Sequence, residues 1–483
     1  MYRVLASLGE GPTIEAPNFS CPGTMTSFSN DAKYVAKLQA VEQHIAGNQL
    51  KLAAQALNEL KKKNPGDPRL YLLGSRMAAA ANNWDGEFQL AQRAYKIAPD
   101  WAIGSLEFAK VLAKGGKHDE ALALAEQAVR QAAETGGNMD LIMQAIALAY
   151  QLGDYEKTLR WLRQAEMARP EDLSIRYKIG STLVAMRDLA GAITIFDQLI
   201  ALEPTNAALL GARFSASLAA SQPEQALLDA QALVTLEPDN EEYRFYLAFA
   251  RGENPPAMPA SLVGKLFNGF AANFDRQMVV QQQYKLPRDL AQMIHTWHPD
   301  KKVDVLDLGC GTGLLGVCLG PQEGVLVGVD LSTEMTNQAL RHQVYHRLHQ
   351  VNLLDALRET PADQYHVITS LDVLIYIGDL EPVVDGALRI LMPGGRFVFS
   401  IELNAEDTTD FTLHNMMRYT HKQSYVEGLL QRAGFCDVVL EQRVIRLDTG
   451  VPVQGLLITA RKPLEPTQKP ARKAAPRSKK AAQ

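Results

Sequence analysis

The stretch from Val303 to Gly320 reads VDVLDLGCGTGLLGVCLG. Val303, Val305, Leu306 and Leu308 have the pattern of a buried strand, broken by Gly309, Gly311 and Gly313 before an apolar helical start at Leu314 and Leu315. Strand, glycine turn and helix together are the layout of a nucleotide site. Two ligands compete for it. A dinucleotide site needs G-x-G-x-x-G, with the third glycine allowing helix to pack on strand; here the sixth position is Leu314 and the third glycine comes one place early. The next apolar run, GVLVGV over residues 324–329, ends in Asp330, where a carboxylate accepts both hydrogen bonds of a ribose diol. Dinucleotides and S-adenosylmethionine both carry that diol, so the glycine triplet alone leaves both open.

The surrounding chain has 483 residues, 47% hydrophobic and 21% charged, which suits an ordinary folded protein of two or more domains. Four cysteines (Cys21, Cys310, Cys318, Cys436) form no CxxC pair and have no histidine at ligand spacing, so neither a zinc site nor a disulfide framework is expected. This usage predicts a reduced, cytoplasmic setting. No apolar run approaches the ~18 residues of a membrane helix. The first residues have too short an apolar stretch for a signal peptide, and Met25 is a second candidate start. The net charge of −5 is uneven: residues 461–483 carry eight Lys/Arg against one Glu, a net +7, leaving −12 for the rest. Residues 1–30 and this Pro/Ala/Lys-rich tail are expected to be disordered. The tail is read as a solvated segment, with nucleic acid the less favoured alternative.

Between residues 31 and 250 the chain repeats. Prolines recur in the contexts KKNP, KIAP, MARP, ALEP and TLEP at Pro65, Pro99, Pro170, Pro204 and Pro238, in steps of 34, 71, 34 and 34. The long step is two periods plus three residues, which places an insertion near residues 135–138. Small residues recur where paired helices must approach, as in GSRMAAAANNW and IGSTLVAMRDLAGAITIF. The period and these positions resemble the tetratricopeptide repeat family over about six units. That resemblance implies an all-α solenoid with a concave face that recruits a protein or peptide partner. ARGENPPAMPAS then ends the helical pattern, and residues 251–300 read as a linker and helical cap. Beyond them, over residues 301–460, short apolar strands alternate with helices, the sign of a parallel sheet with covering helices.

Five stretches, LFNGFAANFDRQMVVQQQYKLPRDL, VLDLGCGTG, GVDLS, SLDVLIYIGDLEPVV and ALRILMPGGRFVFSIE, resemble class I S-adenosylmethionine-dependent methyltransferases. As a whole the chain resembles bacterial methyltransferases carrying an N-terminal tetratricopeptide array. The resemblance implies a Rossmann-like α/β domain with a mostly parallel, seven-stranded sheet and S-adenosylmethionine as cofactor. By position it assigns Asp307, Gly309, Gly311 and Gly313 to the methionine end of the cofactor, Asp330 to the ribose and Met335 to the adenine. Asn352 stands where relatives have Asp and, with the Leu353 backbone, would meet the adenine amino group; Asp372 would line the cofactor's open side.

The implied reaction is attack by an acceptor atom on an activated methyl group. The protein mainly aligns the reactants and excludes water, and no metal is required. A hydroxyl or protonated amine acceptor needs a base. His421, in the RYTH stretch, is the expected base, with Tyr419 and Tyr376 as further catalytic candidates and Tyr284, Glu402 and Arg418 as acceptor-side candidates. The histidines His342, His346 and His349 have helical spacing but no carboxylate or cysteine beside them, so they read as a solvated face rather than a metal site. The acceptor itself is left open. The rival reading is a non-catalytic tetratricopeptide scaffold with a cofactor-sensing domain.

Overall fold

A computed structural model describes residues 28, 31–81, 83–271, 274–404, 409–414 and 417–464. The chain divides into two compact units that part between Pro204 and Thr205.

The first unit is helical, in consecutive segments of similar length: α1 (Ala32–Ala46), α2 (Leu50–Lys63), α3 (Pro68–Ala80), α4 (Trp84–Ile97), α5 (Ala102–Lys114), α6 (His118–Glu134), α7 (Met139–Gln151), α8 (Tyr155–Ala168), α9 (Leu173–Ala185) and α10 (Leu189–Leu202). Pro65, Pro99, Pro170 and Pro204 each stand two residues past a helix end, where a missing N–H costs nothing. Caps start the helices: the Asp67, Asp154, Asp172 and Asp188 side chains each accept a backbone N–H of the first turn. Helices approach closely where the small residues lie. A Cβ on Gly180 of α9 would overlap the Phe196 ring of α10. The three extra residues foreseen in the loop at 135–138 instead lengthen α6, which has 17 residues where α2, α4, α8 and α10 have 14. Helix continues through them because HDEALALAEQAVRQAAE contains no breaker before Thr135. Phe28, inside the segment expected to be disordered, packs its ring 5.5 Å from that of Trp101. Residues 1–27, 29 and 30 lie outside the described part.

The second unit opens with α11 (Ala207–Ala219), α12 (Pro223–Leu236) and α13 (Glu241–Ala250). These helices continue the periodic pattern but group with the C-terminal sheet domain, so the compact units divide well before the proline-rich stretch. Lys265 of α14 (Ala260–Phe270) pairs with Glu242 of α13 at 3.0 Å. The connecting residues are bonded to the sheet domain: Leu413 N–H donates to Asn254 Oδ1, Tyr419 O–H to the Pro255 carbonyl and Met258 N–H to the Tyr376 carbonyl.

After one π-helical turn at Arg276–Gln281 come α15 (Leu286–Trp297), β1 (Val305–Leu308), α16 (Leu314–Leu319), β2 (Leu326–Asp330), α17 (Thr333–Arg341), β3 (Arg347–Gln350), α18 (Leu353–Glu359) and β4 (Tyr365–Ser370). The chain ends with α19 (Glu381–Ile390), β5 (Leu391–Leu403), β6 (Phe411–Leu413), β7 (Tyr419–His421), α20 (Gln423–Ala433), β8 (Cys436–Asp448) and β9 (Val451–Arg461). Both faces of the sheet are covered. Leu306, Leu308, Ile368 and Phe399 face α18, α19 and α20, while Val305, Val367 and Val398 face α15 and α16. Central parallel strands buried on both faces explain the unbroken apolar runs.

The sheet has nine strands rather than seven, in the order β3-β2-β1-β4-β5-β7-β6, with β9 against β5 and β8 against β9. The two added strands are the short hairpin β6–β7. β5 is long enough to pair with β4 and then, past the end of β4, with β7 through Glu402 and Leu403, while β9 takes its other edge. The tail also begins later than expected: Arg461 ends β9, and Lys462 donates to Asp363 Oδ1 at 2.6 Å. Residues 465–483 lie outside the described part. No helix among the described residues is long and apolar enough to cross a membrane.

Candidate functional site

The strand order reverses between β1 and β4, so their carboxyl ends diverge and leave the crevice where open α/β sheets take ligands. The glycine turn sits at its base. Gly309, Gly311 and Gly313 have φ of 74°, 54° and 88°, which disfavour any side chain, and a Cβ on Gly309 would overlap Val373 beyond β4. Thr312 of the turn donates to Asp275 of the cap.

Asp330, at the end of β2, is bonded back to this turn. Its Oδ2 accepts the Gly311 N–H at 2.9 Å and its Oδ1 the Ser332 N–H at 2.8 Å. Burial raises its pKa. Each oxygen has a second lone pair, so the carboxylate can still accept a diol. Asp307, at the end of β1, is 4% exposed and has both oxygens engaged: Tyr345 O–H donates to Oδ2 at 2.7 Å and Thr369 O–H to Oδ1 at 2.8 Å. Burial pushes its carboxyl up to about 6, against the pull of these two hydroxyls.

The adenine-side expectations land differently. Met335 is wholly buried in α17. Asn352 caps α18, its Oδ1 accepting the Leu354 N–H at 2.8 Å, and Leu353 is the first residue of that helix. Ser332, not singled out in the sequence, caps α17 and donates to Asn268 of α14 at 2.6 Å.

Beyond the turn, tertiary structure gathers most of the acceptor-side residues. Arg446 of β8, 2% exposed, pairs with both Asp372 and Glu402. Arg418 reaches Glu402 at 3.5 Å and Asp448 at 2.5 Å. Burial raises the Asp372 carboxyl in spite of Arg446. Asp372 also has a left-handed φ of 59°, a strained setting for a residue with a side chain, and its N–H donates to Ser400 Oγ at 2.7 Å. The phenols of Tyr284 and Tyr376 are held protonated by burial and by the nearby Asp372. Tyr284 Oη and Ser370 Oγ are buried without a hydrogen-bond partner among the described residues. Glycine cradle and diol acceptor together fit S-adenosylmethionine.

Tyr419 and His421 stand apart from this cluster. Tyr419 is fully buried and tied to the linker. His421 is also fully buried. Its Nε2 lies 2.9 Å from the Ile377 carbonyl and 3.1 Å from that of Gly378, so Nε2 bears the proton, while Nδ1 has no partner among the described residues. The ring packs among Phe411 and Tyr425. Burial lowers its pKa to about 4, so it stays neutral at working pH and supports the turn carrying Tyr376. A base with a lowered folded pKa contributes stability above its unfolded value of ~6.5 that is lost as pH falls toward 4, on the order of 3 kcal/mol. NMR titration is expected to show no His421 charge change from pH 5.5 to 8; a midpoint above 6 would overturn the assignment.

Arg446, Tyr345 and Thr369 carried no sequence signal of their own. Their roles arise from pairings more than 35 residues apart in the chain. Among the described residues no cluster of three or more His, Cys, Asp or Glu is placed to hold a metal.

Residues 306–397 match a family model described as a methyltransferase domain. Similar curated proteins include the ubiquinone biosynthesis O-methyltransferase of Psychrobacter arcticus, 34% identical over 20% of this chain and 39% of that protein. The enzyme of the same name from Xylella fastidiosa is 34% identical over 26% of this chain and 50% of that protein. The chain thus spans about half or less of the length of these two relatives. Among solved structures, magnesium protoporphyrin IX methyltransferase from Synechocystis is 16% identical over 42% of this chain and 100% of that one, with TM-score 0.33. The 1,6-didemethyltoxoflavin-N1-methyltransferase of Burkholderia thailandensis is 20% identical over 44% and 93%, also with TM-score 0.33. The glycine turn and the Asp330 bonded to it therefore lie within the stretch that matches a methyltransferase domain.

Proposed function

We propose that the protein transfers a methyl group from S-adenosylmethionine to an acceptor seated over the ends of β4 and β5, and that a tetratricopeptide-type array recruits a protein partner or the acceptor itself. The observation that carries the first part is the Asp330 carboxylate bonded to the Gly311 N–H, with its spare lone pairs at the crevice. When bound, S-adenosylmethionine supplies a sulfonium methyl that needs no further activation. The chain's task is alignment and proton removal. Asp372 takes the acceptor proton in this reading, since His421 is walled in by its carbonyl partners. The stretch that matches the methyltransferase model, residues 306–397, holds the glycine turn, Asp330 and Asp372 but stops short of Glu402 and Arg418. The array part rests on helix starts at Leu173, Ala207 and Glu241, one 34-residue period apart.

Methyl-labelled S-adenosylmethionine with cell extract tests both parts. The full chain is expected to label a macromolecular fraction, and a chain beginning at Thr205 to bind S-adenosylhomocysteine equally but label that fraction at a raised KM. Cofactor binding without any labelling would instead support the scaffold reading. Equal labelling of a small molecule by both chains would refute recruitment.

A further inference from the structure

Tyr345 precedes β3, outside every motif, yet its ring occupies the centre of the cofactor turn. Three glycines from three elements make room for it: a Cβ on Gly313 of the turn, Gly316 of α16 or Gly328 of β2 would come within 3.0 Å of ring carbons. Its hydroxyl donates to Asp307 Oδ2 at 2.7 Å and accepts the Gly316 N–H at 3.3 Å. Leu326 N–H donates to the ring of the next residue, His346, at 3.0 Å, fixing this segment to β2. The hydroxyl thus sits between a buried carboxylate and the helix that leaves the turn.

We infer that Tyr345 is a positioning residue for the cofactor: its hydroxyl holds Asp307 in the ionised state, in which that carboxylate attracts the ammonium group at the methionine end. The inference rests on the reading that Asp307 faces that end. The physical reason is the balance at Asp307. Burial and the Asp330 charge favour the neutral acid, and only the two hydroxyls of Tyr345 and Thr369 oppose them. The other titratable groups around Asp307 are the Cys310 thiol and the Tyr284 and Tyr345 phenols, all of which burial keeps protonated. Asp307 and Asp330 are then the groups here that change charge at or below neutral pH, and Asp330 has its own two backbone donors.

The test is calorimetric titration of the full chain with S-adenosylhomocysteine from pH 5.5 to 7.5, where the ligand's amino group stays largely charged. The native protein is expected to lose affinity as pH falls through about 6. Tyr345→Phe keeps the ring and removes the hydroxyl, so its loss of affinity begins at higher pH. The gap between the two proteins is small at pH 7.5 and widens to about tenfold toward pH 5.5, where the variant holds Asp307 neutral and the native chain still holds part of it ionised. Thr369→Val, which removes the other hydroxyl, is expected to shift the limb the same way and serves if the first variant folds poorly. Asp307→Asn is expected to bind weakly with no limb. A pH-independent deficit in Tyr345→Phe, or a native limb in both hydroxyl variants while Asp307→Asn loses affinity, would overturn the role of Tyr345 alone. Native affinity in Asp307→Asn at every pH would overturn the reading of Asp307 beneath it.

Discussion

Replacing Arg446 by methionine is expected to destabilise the C-terminal unit by about 3–5 kcal/mol, the cost of removing one partner from a buried ionic network. Arg446 is 2% exposed and is the shared counter-ion of Asp372 and Glu402, which are brought together from the ends of β4 and β5. Without it two carboxylates face each other away from water, with Arg418, 3.5 Å from Glu402, left as the nearby cation. The loss depends on pH. Asp372 already has a folded pKa raised above its unfolded value, chiefly by burial, and removing Arg446 raises it further. A buried acid of this kind destabilises the fold above its unfolded pKa and is relieved as pH falls through the folded one. The deficit is therefore expected to be largest at pH 7 and to shrink toward pH 5, read as the urea midpoint of the variant against the native chain. Combining Arg446→Met with Asp372→Asn and Glu402→Gln is expected to restore part of the stability. A deficit below about 1 kcal/mol that does not vary with pH would show that the network is solvated.

Asp330→Ala is expected to weaken S-adenosylhomocysteine binding by about tenfold to 150-fold, the range for losing hydrogen bonds to a charged group, ~1.5–3 kcal/mol. The change acts twice. It removes the acceptor for the ribose diol, and it frees the Gly311 and Ser332 N–H groups that hold the turn and the start of α17 in place. Asp330→Asn keeps one carbonyl oxygen and is expected to lose less. Calorimetry at neutral pH separates the cases, and native affinity in the alanine variant would remove Asp330 from the site.

The sequence by itself determined the order of helices and strands, the glycine turn and the carboxylate after it. These are local matters. Left-handed φ at Gly309, Gly311 and Gly313 follows from a turn too tight for side chains, and Asp330 lies only 19 residues from the backbone N–H it accepts. The 34-residue period likewise follows from helix length, with prolines standing two residues past the helices they follow. By contrast, the nine-stranded sheet was not legible, because β6 and β7 are three residues each and exist only where β5 outruns β4.

Tertiary structure alone decided which polar residues share a site. His421 resembled a base in its RYTH context, yet β7 turns it inward onto the Ile377 and Gly378 carbonyls, and burial removes its charge. Met335 fell on the buried side of α17. Arg446 and Tyr345 stand in stretches with no motif, and their importance comes from pairing with carboxylates 74 and 38 residues away. The reason is energetic. A carboxylate taken out of water must find a donor or counter-ion nearby in space, and the fold, rather than the neighbouring sequence, determines which groups are near enough to supply it.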